Sequence, residues 1–189
     1  FPYTTLFRSR DDYMIVVTSP HLYIPKHDDI TVFLAGGISG CRDWQQDVIN
    51  NLFRMIGKDD SQVVVYNPRR KEFDVDDPSA TDDQITWEFQ YLNKVDVFSM
   101  YFVGGDQIQP ICMYELGRYT KNVFGYGQVI SVEKDYIRER DVVVQVALAT
   151  RGMVQVNLNA TPYEHAEDIV RCIRQIKQIR IRNLKVEGY

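Results

Sequence analysis

"ITVFLAG", residues 30 to 36, is the stretch that decides the fold. It is a continuous apolar run that ends in glycine, with no polar alternation. Such a strand has to be buried on both faces, which happens in the middle of a parallel sheet covered by helices on either side. Gly36 at its end suits a tight turn into a following helix.

Working outward, "DWQQDVINNLFRMIG" (43–57) predicts that helix, with Asp43 as its cap, an apolar stripe of Val48, Ile49, Leu52, Phe53 and Ile56, and Gly57 as a left-handed C-terminal residue. "QVVVYNP" (62–68) predicts a second strand, and the polar, Asp-rich stretch from Arg69 to Ala80 a loop. "TDDQITWEFQYLNK" (81–94) reads as a helix capped by Thr81, "VDVFSMYFV" (95–103) as a third strand, and the segment around Glu115 as a helix running to about Asn122. "GQVISVE" (127–133), "DYIRERDVVVQVALATRG" (135–152) and "MVQVNLN" (153–159) continue as strand, helix and strand. "TPYEHAEDIVRCIRQIKQIR" (161–180) closes the series, with Thr161 as cap and Pro162 at the first helical position. Strict alternation predicts an α/β, flavodoxin-like, doubly wound five-stranded parallel sheet with helices on both faces and strand order 2-1-3-4-5. "MIVVTSP" (14–20) is available as an added edge strand.

One domain is expected over residues 10–189. Residues 1–9, "FPYTTLFRS", resemble what a common sequencing adapter encodes in one reading frame and are set aside as a non-native scar. A net charge of −4 argues against a nucleic-acid polymer or an anionic membrane surface as partner, since either calls for a basic patch. No apolar run approaches the ~20 residues a spanning helix needs, and no leader pattern opens the chain, so a cytoplasmic protein is expected. Cys41, Cys112 and Cys172 are odd in number and widely spaced, which suits reduced packing residues rather than disulfides or zinc. His21, His27 and His165 lack metal-ligand spacing and are expected in surface or loop positions. Neither a metal nor a cofactor is implied: "GGISG" (36–40) has no Walker lysine and does not match the spaced glycines of a dinucleotide fingerprint.

In a doubly wound sheet ligands bind beyond the carboxyl ends of the strands, near the point where strand order reverses. That picks out "GGISG" (36–40), "NPRR" (67–70) and "GGDQIQP" (104–110). Just beyond the last, "PICMYELGRY" (110–119) sets one carboxylate, Glu115, among the apolar first turns of a helix. A carboxylate in such a setting is solvated, paired or used.

Six short motifs then stand in order: "FLAGG" (33–37), "DWQ" (43–45), "NPRR" (67–70), "WEF" (87–89), "DVFSMYF" (96–102) and "PICMYELG" (110–117). With them the chain resembles the nucleoside 2-deoxyribosyltransferases from about Thr31 to Arg151. The resemblance implies transfer of deoxyribose between nucleobases, with nucleosides and nucleobases as ligands and a homo-oligomeric assembly. It implies Glu115 as nucleophile, and Glu88 of "WEF" as the base-contacting acid with Asp106 as alternative. Where some members place an Asp ahead of the nucleophile, this chain has Gln109. A carboxylate is chemically able to trap the oxocarbenium-like centre as a glycosyl ester, as in retaining glycosidases. Hydrolysis of deoxynucleotides, or a sensor that binds without turnover, are the alternatives.

Around that pair, Gly36 and Gly37 would let backbone N–H groups approach a ligand. The resemblance puts Trp44 over the site, against a place in the core. Gln45 either bonds a base edge or faces solvent. Asn67 either holds the ligand or forms a turn before Pro68. Arg69 and Arg70 either bind phosphate or, as the composition favours, pair with the acids of 72–77. Tyr101 and Phe102 are expected in the core or the pocket floor, Asp96 as a structural cap, and Asp141 as the residue a neighbouring subunit would lend.

Overall fold

The computed structural model describes residues 13–57, 62–70, 78–120 and 127–186. The elements run β1 (Met14–Thr18), β2 (Ile30–Gly36), α1 (Trp44–Met55), β3 (Val63–Asn67), α2 (Pro78–Leu92), β4 (Val97–Phe102), α3 (Pro110–Tyr119), β5 (Gly127–Val132), α4 (Glu139–Thr150), β6 (Val156–Leu158) and α5 (Pro162–Val186). All strand pairs are parallel and the sheet is ordered β1-β3-β2-β4-β5-β6. The expected order of five strands is therefore present, and the sheet is six-stranded rather than five-stranded. β1 pairs with β3 from Met14 opposite Val63 to Thr18 opposite Asn67, and so moves the sheet edge outward by one strand.

Alternating side chains of the buried strands feed two cores. Ile30, Val32 and Leu34 of β2 pack with α1 and α5 on one face, through Val48, Leu52, Ile169 and Ile173. Phe33 and Ala35 turn the other way, into the core that holds Trp87 and Leu92 of α2, Leu116 of α3 and Val142 and Val146 of α4. This two-sided burial explains why β2 has no polar alternation.

Several boundaries differ from expectation for local reasons. α2 begins at Pro78, so Thr81 lies inside it; a fixed φ near −65° pre-organises the first turn. α1 ends at Ile56 in extended conformation (φ −84°, ψ 123°), not on a left-handed Gly57. Ile56 is buried, and Phe53, expected in the apolar stripe, is 49% exposed. Asp43 caps α1 as expected, accepting from Gln46 N at 3.1 Å. Thr161 and Glu164 form a reciprocal capping box at the start of α5. Residues 1–9, the acids of 72–77 and Asn122 lie outside the described residues.

His165 corrects a further expectation. It is fully buried on α5, with one ring nitrogen 2.7 Å from Ser99 Oγ of β4 and the other 2.7 Å from Ser131 Oγ of β5. Burial drives its pKa down to about 3, so it stays neutral, donating its single N–H to one of the two hydroxyls and accepting from the other. The three cysteines are free thiols, with Cys112 buried. Among the described residues no helix is long and apolar enough to cross a membrane.

Asp96, as expected, is structural. Its carboxylate accepts from Thr31 N at 2.8 Å and Thr31 Oγ1 at 2.9 Å, and its other oxygen meets Arg180 of α5 at 2.5 Å. It fastens the start of β4 to β2 and to the closing helix, at the end of the sheet away from the glycine turn. Asp96→Ala should lower unfolding free energy by about 2–4 kcal/mol, because charge-assisted hydrogen bonds from three donors are lost together. Urea denaturation checks this; a midpoint within error of the parent would show that the cluster is dispensable.

Candidate active site

Chain order reverses between β2 and β4, and a cavity of about 350 Å³ opens there. Its walls come from the β2–α1 turn (Gly36, Gly37, Ser39), from Pro68 after β3, from Glu88 on α2, and from the segment Gln107–Glu115 that leads into α3. Apart from the two glutamates the lining is neutral: among the described residues, no lysine or arginine contributes to it.

Glu88 and Glu115 both line this cavity, each partly exposed to it. Pro110 opens α3 behind a left-handed Gln109 (φ 51°), and Cys112 and Leu116 of the helix are buried in the core beneath. Glu115 therefore sits one turn beyond the first and looks into the space that Gln109 and Cys112 border. Burial pushes its carboxyl up to about 8, and the negative charge of Glu88 adds to the shift. Burial also raises Glu88, but a hydrogen bond from Gln84 and the charge of Arg70 pull the other way. Gln84 Nε2 donates to Glu88 Oε1 at 2.6 Å and to the carbonyl of Pro68 at 2.9 Å. The two carboxylates thus differ in kind: Glu88 has a donor in Gln84 and the charge of Arg70, whereas burial and like charge both press Glu115 toward its protonated form.

The glycine turn is shaped by close approach. A Cβ on Gly36 (φ 151°) would fall 2.3 Å from the carbonyl oxygen of Tyr101 and 2.5 Å from the Trp44 indole. One on Gly37 would meet Cys41 Sγ and Gln109 Oε1 at 2.6 Å. The turn is held from behind by Arg69. Its Nε donates to Gln45 Oε1 at 2.9 Å, and one terminal nitrogen lies against the carbonyls of Gly37, Ile38, Cys41 and Arg42 at 2.9 to 3.3 Å. Its charge also sits 3.4 Å from Asp43. Among the described residues the Arg69 side chain is engaged as a clamp on the loop backbone; the acids of 72–77, the pairing expected for it, lie outside them.

The remaining sequence-derived candidates fall outside the cavity wall. Trp44 is fully buried, donates to the carbonyl of Gly37 at 3.0 Å and stacks on Tyr101 at 4.9 Å, so both underlie the turn instead of facing its open side. Tyr101 spends its hydroxyl on the carbonyl of Ala160 at 2.8 Å. Gln45 is buried beside Arg69, not on the helix surface. Asn67 accepts from Arg69 N at 3.0 Å, the turn-forming role. Asp106 is exposed, and Asp141 pairs with Arg138 at 2.5 Å on the start of α4. Sequence reasoning did not assign a ligand contact to Gln109. Its Nε2 donates to the carbonyl of Val103 at 2.9 Å, while its buried Oε1, at the cavity wall, finds no protein donor among the described residues. The signal was available in its place between a glycine-rich loop and Pro110.

A family model described as "Nucleoside 2-deoxyribosyltransferase like" matches residues 29–136. That span holds β2 to β5 and every residue lining the cavity. No curated protein matches the chain.

The raised carboxyl of Glu115 has a consequence for stability. Below about pH 4.5 both folded and unfolded chains hold its proton; as pH climbs to about 8 only the folded chain does, so stability is progressively lost across that window. Glu115→Gln removes the titration. The variant should therefore melt above the parent by a margin that grows from about pH 5 to several degrees by about pH 9. Thermal melts across that range provide the check, and a constant difference would show that Glu115 ionises normally.

Proposed function

We propose that this chain, which belongs to the nucleoside 2-deoxyribosyltransferase-like family, is a pentosyltransferase that moves 2′-deoxyribose from one nucleobase to another through a covalent ester on Glu115. The observation that carries this reading is the pairing of Glu115 with Glu88 in one otherwise neutral cavity at the switch point of the sheet.

The chemistry balances with the residues present. In the empty site Gln84 and Arg70 favour ionised Glu88, while Glu115 keeps the proton of the pair. When a nucleoside binds, that proton passes to Glu88 and on to a ring nitrogen of the base, leaving Glu115 ionised beneath C1′. The C1′–N bond breaks, a C1′–O bond to Glu115 forms, and the base leaves neutral. An incoming base then attacks C1′, its N–H proton returns to the carboxylate pair, and the ester bond breaks. One proton is lent and recovered in each cycle, so neither step needs an external acid. Gln109 Oε1, an acceptor without a donor among the described residues, offers a place for a sugar hydroxyl.

A neutral lining also favours a nucleoside over its phosphate. A monophosphate brings close to two negative charges into a cavity that already holds two carboxylates, and Arg69 is engaged by loop carbonyls. With a deoxynucleoside, its 5′-monophosphate and a free acceptor base supplied together, the free nucleoside should show the larger kcat/KM and the product should be a new deoxynucleoside. Preference for the monophosphate with release of free sugar phosphate would replace the transferase by a hydrolase. Glu115→Gln should lower turnover by about 10³-fold or more and abolish the deoxyribosyl adduct that mass spectrometry finds on the parent. An adduct that persists in the variant would move the nucleophile elsewhere.

A further inference from the structure

Glu88 does not receive its hydrogen bond from an isolated side chain. Arg70 Nε donates to Ser19 Oγ at 3.0 Å, Ser19 Oγ donates to Gln84 Oε1 at 2.8 Å, and Gln84 Nε2 donates to Glu88 Oε1 at 2.6 Å. Every donor in this chain points toward the glutamate, so the polarity runs in one direction from guanidinium to carboxylate. The Gln84 amide is fully committed: its oxygen takes Ser19, and its two N–H bonds go to Glu88 and to Pro68. Rotating the amide by half a turn would set its oxygen against the Glu88 oxygen and the Pro68 carbonyl, and the hydroxyl of Ser19, with Arg70 occupying its lone pair, opposes that rotation.

Ser19 is buried and follows β1 directly; its backbone N–H donates to the carbonyl of Asn67 at 3.2 Å. It lies before residue 29, outside the span that the family model matches, directly after the strand at the edge of the sheet.

We propose that Ser19, which directly follows the edge strand β1, is a positioning residue for Glu88, acting through Gln84. The role given to Glu88 rests on the transferase reading; the connection itself is a property of the folded chain. The charged and titratable groups that face Glu88 are Arg70 from the β3–α2 segment and Glu115 and Cys112 from α3, and Gln84 faces it from its own helix. Two of these depend on Ser19, whose hydroxyl anchors the Gln84 amide and accepts from Arg70. Losing Ser19 removes an anchor from both the donor and the cation that favour the ionised carboxylate, so Glu88 should then hold its proton to higher pH.

The test is a carboxyl ¹³C NMR titration of Glu88, assigned with Glu88→Gln, in the parent and in three variants. Ser19→Ala and Gln84→Met should both move the Glu88 titration upward, and Ser19→Ala should lower base-exchange kcat about fivefold with little change in KM. Val17→Ala, in the same strand and core but outside the hydrogen-bond chain, should reduce stability and leave the titration in place. An unchanged Glu88 titration in Ser19→Ala, or an equal shift in Val17→Ala, would overturn the proposal. Because the titration needs no turnover, a parent protein that fails to exchange bases would sink the transferase reading while the NMR result still decides the role of Ser19.

Discussion

A carboxylate held away from water beside a second carboxylate is the constraint around which this end of the molecule is organised. Left in water, Glu115 would ionise near its ordinary value; set in the mouth of the β4–α3 segment, it is driven up to about 8. Folding bears that cost because the core under α3 fixes where the helix lies, and the side chain has no ion pair among the described residues to relieve it. Stability given up at one position in this way is what a reactive group requires, since a carboxylate satisfied by an arginine would be a poor nucleophile. The asymmetry with Glu88 matters as much as the shift. A donor, Gln84, and the charge of Arg70 favour the ionised form of one glutamate, and burial and like charge oppose it in the other; that difference separates an acid-base partner from a nucleophile in the proposed reaction.

The backbone opposite the pair is held by equally specific means. Gly36 and Gly37 allow the turn after β2 to pass within contact distance of Tyr101 and Gln109, and Trp44 fills the space under it. Arg69 then gathers four loop carbonyls on one guanidinium nitrogen. A cation used like this does not attract a ligand. It neutralises the carbonyl dipoles that a tight turn turns inward, and it leaves the open side of the loop without charge. Lining neutrality, which distinguishes a nucleoside from a nucleotide in the proposed function, is thus a by-product of how the loop is kept in shape.

How much of this was legible in the sequence depends on the range of the interactions. Strand positions were readable because burial on both faces leaves an uninterrupted apolar run, as in residues 30–36. The place of Glu115 was readable because a fold with a switch point puts ligands after particular strands. Side-chain partnership across the sheet was not. Nothing near Arg69 in the chain announces that it will meet carbonyls from residues 37 to 42, and nothing near His165 announces serines on two neighbouring strands. Trp44 and Tyr101 carry the same lesson: an aromatic residue in a motif beside a site can serve that site from underneath, by filling volume, without touching what binds there.

The edge strand shows what a motif-based reading leaves out. Every wall of the cavity lies within residues 29–136, so a description limited to that span would hold the site complete. Yet the donor on Glu88 is itself held by a hydroxyl from residue 19, two hydrogen bonds away from the glutamate. Added strands at the margin of a parallel sheet are usually understood as protection for the edge, and β1 does cover β3. Here the same strand ends where its next residue reaches Gln84, the donor to the proposed acid. Register explains why: pairing Thr18 with Asn67 places Ser19 level with the segment after β3, the level at which a doubly wound sheet binds its ligand. The strand that completes the sheet is thereby positioned, in the proposed role of Ser19, to tune its chemistry.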